Sequence, residues 1–141
     1  MSESKLFEVF GEFKPEAYES EVQERWGETD AYRESKRRTQ KYTRADWERY
    51  KQEAQKTTLA LASLMERGVP PDAPEALAAV EQSRLLIDRW FYPCSRAMHA
   101  GLGQLYITDP RFEQNYEKIR PGLARFISEA TAANALRGEP S

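Results

Sequence analysis

Residues 90–106 read WFYPCSRAMHAGLGQLY, and the punctuation of this stretch decides how the rest must fold. Three consecutive aromatics, Trp90, Phe91 and Tyr92, run into Pro93, which fixes its own φ, has no N–H to donate and disfavours helical backbone at the preceding residue. A helix arriving from the left stops there, and a new one can begin. Ser95 offers a side-chain oxygen to cap it. Behind it Met98, Leu102 and Leu105/Tyr106 recur at steps of three and four, which predicts one inward apolar stripe. Gly101 and Gly103 each cost about 1 kcal/mol relative to Ala in a helix interior, a penalty explained if something approaches that backbone closely. The only cysteine, Cys94, and the only histidine, His99, fall in the same window.

Working outward, the same kind of punctuation recurs. Thr43 followed by Asp46 resembles a capping box with Asp in the place of Glu or Gln, and it opens the longest predicted helix, to Arg67. Trp47, Tyr50, Ala54, Thr58, Leu61 and Met65 keep a helical period there, with Leu64 widening the stripe. Gly68 is the expected C′ residue, and Pro70-Pro71 forbids continuation. Asp72 is the expected cap of a second long helix through Leu77, Val80, Ile87 and Trp90/Phe91, so the two read as an antiparallel hairpin. On the C-terminal side, Asp109-Pro110 restarts the chain into a short helix carrying Phe112, Tyr116 and Ile119. After Pro121-Gly122 a last helix presents Leu123, Phe126, Ile127, Ala130 and Asn134 and is expected to fray at Gly138-Glu139-Pro140.

Nearer the N-terminus, a basic helix is predicted over 31–42, preceded by an acidic one from Pro15 to Trp26. Leu6, Phe7, Val9, Phe10 and Phe13 crowd around Gly11 in a segment too short to bury itself, which reads as an arm needing a surface to lie on. No alternation of period two, internal repeat or low-complexity tract interrupts this pattern. The expectation is an all-α fold in one domain, with an N-terminal arm and lid helices over 1–40 and a helical core over 41–141.

At 141 residues with 21 Lys+Arg against 23 Asp+Glu, the chain is one domain by length, and its even charge argues for neither a polyanion nor a membrane surface as partner. No apolar run approaches the roughly 18 residues that would span a bilayer, and MSESKLFEVF lacks the pattern of a signal peptide. With one cysteine there is no internal disulfide, so a reducing cytoplasm is the default. The run Lys36 to Arg44 reads as a solvated face, offset by the acidic segment before it. No helix-turn-helix with a basic recognition helix accompanies it, and direct contact with nucleic acid is not expected.

Two readings of Cys94 compete. A thiol just ahead of a helix N-terminus and beside Arg96 can ionise and attack; a lone cysteine is more ordinarily a small buried hydrophobe. His99 does not complete a catalytic pair, because a spacing of five on one helix sets the two side chains roughly 140° apart, and no third orienting group lies nearby. One histidine and one cysteine are too few for a zinc site, and haem held by His99 alone is the weaker reading of a histidine that more often hydrogen-bonds to a core carbonyl or a ligand. No cofactor, metal or catalytic residue is expected. The aromatics are the positive signal. Three tryptophans exceed what a core of this size needs, and Met98 and Met65 add adaptable surfaces of the kind that line pockets for large apolar ligands.

FYPCSRAMHAGLGQLYITDPRFEQNYEKIRPGLARFISEATAAN resembles the C-terminal half of the TipAS antibiotic-recognition domain, the effector-binding domain of thiostrepton-responsive MerR-type transcriptional regulators. The likeness continues upstream through FEVFGEFKPEAYESEVQERWGETDAYRESKRRTQKYTRADWERY and so covers nearly the whole chain. The resemblance implies a globin-like arrangement of helices, a cleft for bulky and structurally varied antibiotics, and an N-terminal segment that is mobile when free and folds over the ligand. In the full regulators a DNA-binding domain and a dimerising coiled coil precede this domain. Neither is in the sequence, so the chain reads as a free-standing effector domain, an internal-start product or an excised fragment, expected to be monomeric.

The sequence departs from the family pattern at the positions that bear on chemistry. In thiostrepton-binding members a second cysteine, seven residues beyond the counterpart of Cys94, adds to a dehydroalanine of the drug; here that position is Gly101. A His-Arg pair and a Glu ahead of Met-His are replaced by Ser83-Arg84 and Ala97, which removes polar anchors from the implied cleft. Non-covalent binding of a bulky, largely apolar antibiotic is the resulting expectation. Trp90, Tyr92, Cys94, Met98, His99, Gly101, Leu102 and Tyr106 are the candidates for one wall, with Trp26, Tyr32 and the Phe7/Phe10/Phe13 arm closing from the other side. A cysteine-dependent drug-modifying protein and a plain protein-interaction module are the alternatives.

Overall fold

The structure, a computed structural model, describes residues 30–140. Among these the chain forms six helices and no strand: α1 (Asp30–Thr39), α2 (Arg44–Glu66), α3 (Pro74–Trp90), α4 (Arg96–Thr108), α5 (Pro110–Glu117) and α6 (Leu123–Leu136). The capping box opens α2 as its sequence requires, with Thr43 Oγ1 accepting from Asp46 N at 3.2 Å and the Asp46 carboxylate accepting from Thr43 N at 2.9 Å. Its other end closes on Gly68, whose φ of 78 is left-handed. Gly68 N and Val69 N donate to Met65 O and Leu64 O, taking up carbonyls the helix leaves open.

Two expected features of these termini are corrected. The cap of α3 is Ala73, with no side-chain hydrogen bond, and not Asp72; Pro74 at the first helical position needs no N–H partner and supplies the start instead. The residues expected to fray after α6 leave the helix but are tied to the body of the domain: Glu139 and the Gly138 carbonyl both accept from Arg96 at the start of α4.

α6 is the central element, with α2, α3, α4 and α5 all packed on it. Leu123, Phe126, Ile127, Ala130 and Asn134, the stripe read from its sequence, are all buried, joined by Ala124, Ser128 and Thr131. Of these, Leu123, Phe126, Ile127 and Ala130 meet Leu61, Ala62 and Leu64 of α2, Ala76 and Val80 of α3, and Tyr106 of α4 in the main core. A second core, almost wholly aromatic, joins the first turns of α2 to the last turn of α3: Trp47, Tyr50, Leu86, Trp90 and Phe91, with Tyr42 and Tyr92 against it.

The two glycines of α4 behave differently. A Cβ at Gly103 would run into Thr131 Oγ1 and lie 3.3 Å from the Ser128 Cα, so the bare backbone there is what lets α4 and α6 close on each other. At Gly101 a Cβ would meet nothing within 4 Å among the described residues. Close approach therefore explains Gly103 and leaves Gly101 open. The inward face of α4 keeps Tyr106 and part of Leu102 from the predicted stripe but not Met98. His99, Gly103 and Tyr106 are buried toward α6, while Met98 is 40% exposed.

Candidate functional site

The break at Pro93 is held from several sides. Trp90 donates its indole N–H to Glu53 Oε1 at 2.9 Å, and Tyr42 donates its hydroxyl to the Trp90 carbonyl. Arg38 on α1 reaches the carbonyls of Asp88 and Arg89 at 2.7 and 3.3 Å, a cation placed where the end of α3 is electronegative. Cys94 N donates to Asp88 Oδ1 at 2.8 Å, and the Cys94 carbonyl accepts from Arg84 Nη1 at 2.7 Å. Ser95 then caps α4 by accepting from Met98 N at 3.0 Å.

Arg84 belongs to a polar network that periodicity could not show, because its members sit on three helices. The Glu81 carboxylate takes Arg84 at 2.8 and 2.6 Å, Arg96 at 3.2 and 3.1 Å, and Asn134 Nδ2 at 2.9 Å. These bonds, that from Arg84 first, hold the Glu81 carboxyl far below the usual carboxylate range against the opposing effect of burial. Arg84 is itself buried. It supplies a buried anchor directly beneath the break.

The expected wall residues divide into groups. Trp90 is buried in the aromatic core, edge-on to Tyr42 and Tyr50 with ring centroids 5.3 and 5.8 Å apart. Tyr92 lies half-buried at the margin of the same cluster. Cys94 is 1% exposed, and burial pushes its thiol up to about 12, so it is held protonated at neutral pH. His99 is 2% exposed with Nδ1 unpartnered. Burial, followed by the charge of Arg84, lowers its pKa to about 4, which keeps the imidazole neutral, with one ring nitrogen a donor and the other an acceptor.

Met98 and Gly101 share one outward face of α4, Leu105 extends it by the same helical spacing, and Leu102 lies at its margin, packed against the main core. Met98 and Gly101 are exposed; Leu102 and Leu105 are partly so. Beside this face, Tyr106 packs on Phe112 and Tyr116 with centroids 5.8 and 5.0 Å apart. The phenols of Tyr50, Tyr92, Tyr106 and Tyr116 converge closely enough to influence one another, and burial raises the pKa of each. Tyr106 and Tyr116 share a hydrogen bond. Sequence reading named Tyr92 and Tyr106 as candidates but could not see Tyr50 and Tyr116 joining them from two other helices.

Tyr32 is half-buried on α1. Phe7, Phe10, Phe13 and Trp26 lie outside the described residues, as does the lid expected over most of 1–40. No three His, Cys, Asp or Glu side chains gather as they would around a metal ion among the described residues. No helix there is long and apolar enough to cross a membrane.

Comparison with known proteins gives this arrangement a lineage. The HTH-type transcriptional activator TipA of Streptomyces coelicolor is 47% identical over 134 residues, 95% of this chain and 53% of that protein. The HTH-type transcriptional activator mta of Bacillus subtilis is 35% identical over 115 residues, 82% of this chain and 44% of that one. The chain thus spans about half the length of the curated relatives it matches. A solved TipAS in complex with nosiheptide, from a thiopeptide antibiotic multidrug resistance system of Streptomyces lividans, is 45% identical with a TM-score of 0.87, over 99% of this chain and 98% of that chain. The antibiotic binding domain of a TipA-class multidrug resistance transcriptional regulator is 39% identical with a TM-score of 0.61, covering 67% of this chain and 100% of that chain. The family model for the TipAS antibiotic-recognition domain matches residues 18–134, and with the helical order above this makes the chain a member of the TipAS antibiotic-recognition domain family.

Proposed function

We propose that this chain binds a bulky, largely apolar antibiotic of the thiopeptide kind without a covalent bond, as the effector-sensing or drug-sequestering part of a MerR-type transcriptional regulator. The observation that carries the reading is the outward face of α4, where Met98 and Leu105 flank a Gly101 whose Cβ would meet nothing within 4 Å among the described residues, with Leu102 at its margin against the main core. The likeness to a TipAS solved with nosiheptide supports the class of ligand. An apolar ring system can lie flat on such a face, with Tyr92, Tyr106 and Trp90 at its border and the tyrosine hydroxyls offering polar contacts to amides or azole nitrogens. Cys94 and His99 support the face from within. Tyr32, Trp26, Phe7, Phe10 and Phe13 are carried in the proposal from their sequence pattern.

The buried, protonated Cys94 favours binding over drug modification. In a titration with nosiheptide followed by tryptophan fluorescence, the wild-type chain and Cys94→Ala should respond alike. Gly101→Leu should weaken the response at least tenfold while the fold is kept, since a Cβ there meets no atom of the described residues within 4 Å and the longer side chain fills the space the ligand would take. A Gly101→Leu variant that binds as tightly as wild type would place the ligand elsewhere.

A further inference from the structure

Gly138 has a φ of 81, a left-handed turn that sends the chain after α6 back across the N-terminus of α4. There the Glu139 carboxylate accepts from the backbone N–H of Arg96 at 2.8 Å and of Ala97 at 3.2 Å. The Gly138 carbonyl accepts from Arg96 Nη1 at 2.7 Å. The opening N–H groups of a helix have no partner within it and carry the positive end of its dipole, so a carboxylate at this place satisfies donors and complements charge together. With Ser95 taking Met98 N at 3.0 Å, the first three N–H groups of α4 all have acceptors. The clamp is anchored in turn, because Arg96 pairs with Glu81, and Glu81 holds Asn134 of α6.

We infer that Glu139 is a positioning residue for the antibiotic-binding face: its carboxylate fixes the first turn of α4, and with it the direction in which Met98 is presented one turn before Gly101 and Leu102. The inference rests on the functional reading above. Glu139 is itself exposed and belongs to neither core. Its removal leaves both cores intact and acts on the first turn alone.

The test uses the whole chain, nosiheptide as the probe, and the variants Glu139→Ala and Glu139→Gln. In Glu139→Ala, hydrogen exchange at the Arg96 and Ala97 amides should quicken about tenfold and the nosiheptide dissociation constant should rise about fivefold, with the thermal midpoint close to wild type. Glu139→Gln keeps a side-chain carbonyl and should restore most of both effects. Unchanged exchange in Glu139→Ala overturns the clamp, and faster exchange with unaltered affinity overturns its positioning role. A wild-type chain silent to nosiheptide overturns the functional reading and this inference with it, a result seen before any variant is compared.

Discussion

Acidification from pH 7 to pH 5 should destabilise this domain through one side chain. His99 is 2% exposed, and burial, then the Arg84 charge, lowers its pKa from 6.5 to about 4. A histidine depressed in this way contributes stability above its unfolded pKa, and that contribution is lost as pH falls from about 6.5 toward 4, because the unfolded chain takes up the proton first. Linkage with these two values gives a loss of about 2 kcal/mol by pH 5, a sizeable part of the roughly 5–15 kcal/mol typical of a domain. The window is clean. His99 is the only histidine, and the carboxyls of Glu34, Asp46 and Glu81 are all held below their ordinary values, so their contributions are lost only at more acid pH. Urea unfolding at pH 7, 6 and 5 should show the midpoint falling by about 1 M across the series, and His99→Gln should flatten that fall. Coincident wild-type midpoints at pH 7 and 5, or an equal slope in the variant, would refute the claim that a neutral imidazole is locked in the core.

Gly103→Ala should cost about 1–3 kcal/mol, because its Cβ meets Thr131 Oγ1 and the Ser128 backbone, and thermal unfolding monitored by circular dichroism would register the loss. Glu81→Ala should cost about 3 kcal/mol by leaving Arg84 and Arg96 buried without their carboxylate; chemical denaturation measures it, and a loss under 1 kcal/mol would contradict the network. Cys94, with its thiol pushed up to about 12, should react with a disulfide reagent at pH 8 at least about a hundredfold more slowly than after unfolding in urea; equal rates would show the sulfur to be open.

The sequence announces its helix ends wherever the signal is local. Pro93 with Ser95, Thr43 with Asp46, Gly68, and Asp109-Pro110 all act within a few residues of themselves, and all appear where the chain places them. The α6 stripe is legible for a similar reason, since one helix buried against four others shows its periodicity plainly. The orientation of α4 was not. With glycines at 101 and 103, the stripe of Met98, Leu102 and Leu105/Tyr106 overlaps a second one of His99, Gly103 and Tyr106, and only the fit to α6 decides which turns inward. The Asp72 cap misled because Pro74 can begin a helix without a side-chain acceptor before it. Glu81, Tyr50, Tyr116 and Glu139 gain their roles from partners far along the chain, and nothing near them in sequence advertises it.

The contact between Gly103 and Thr131 also limits how this architecture can drift. The two positions draw on a single allotment of space, so a chain that places a methyl group at 103 must give up bulk at 131 to keep the helices at the same separation. Ser128 contributes a main-chain atom at 3.3 Å, and no exchange of side chains there can make room. The trade is therefore narrow: alanine at 103 with a trimmed residue at 131 is attainable, whereas anything larger has to push the helices apart and tilt the face that carries Met98.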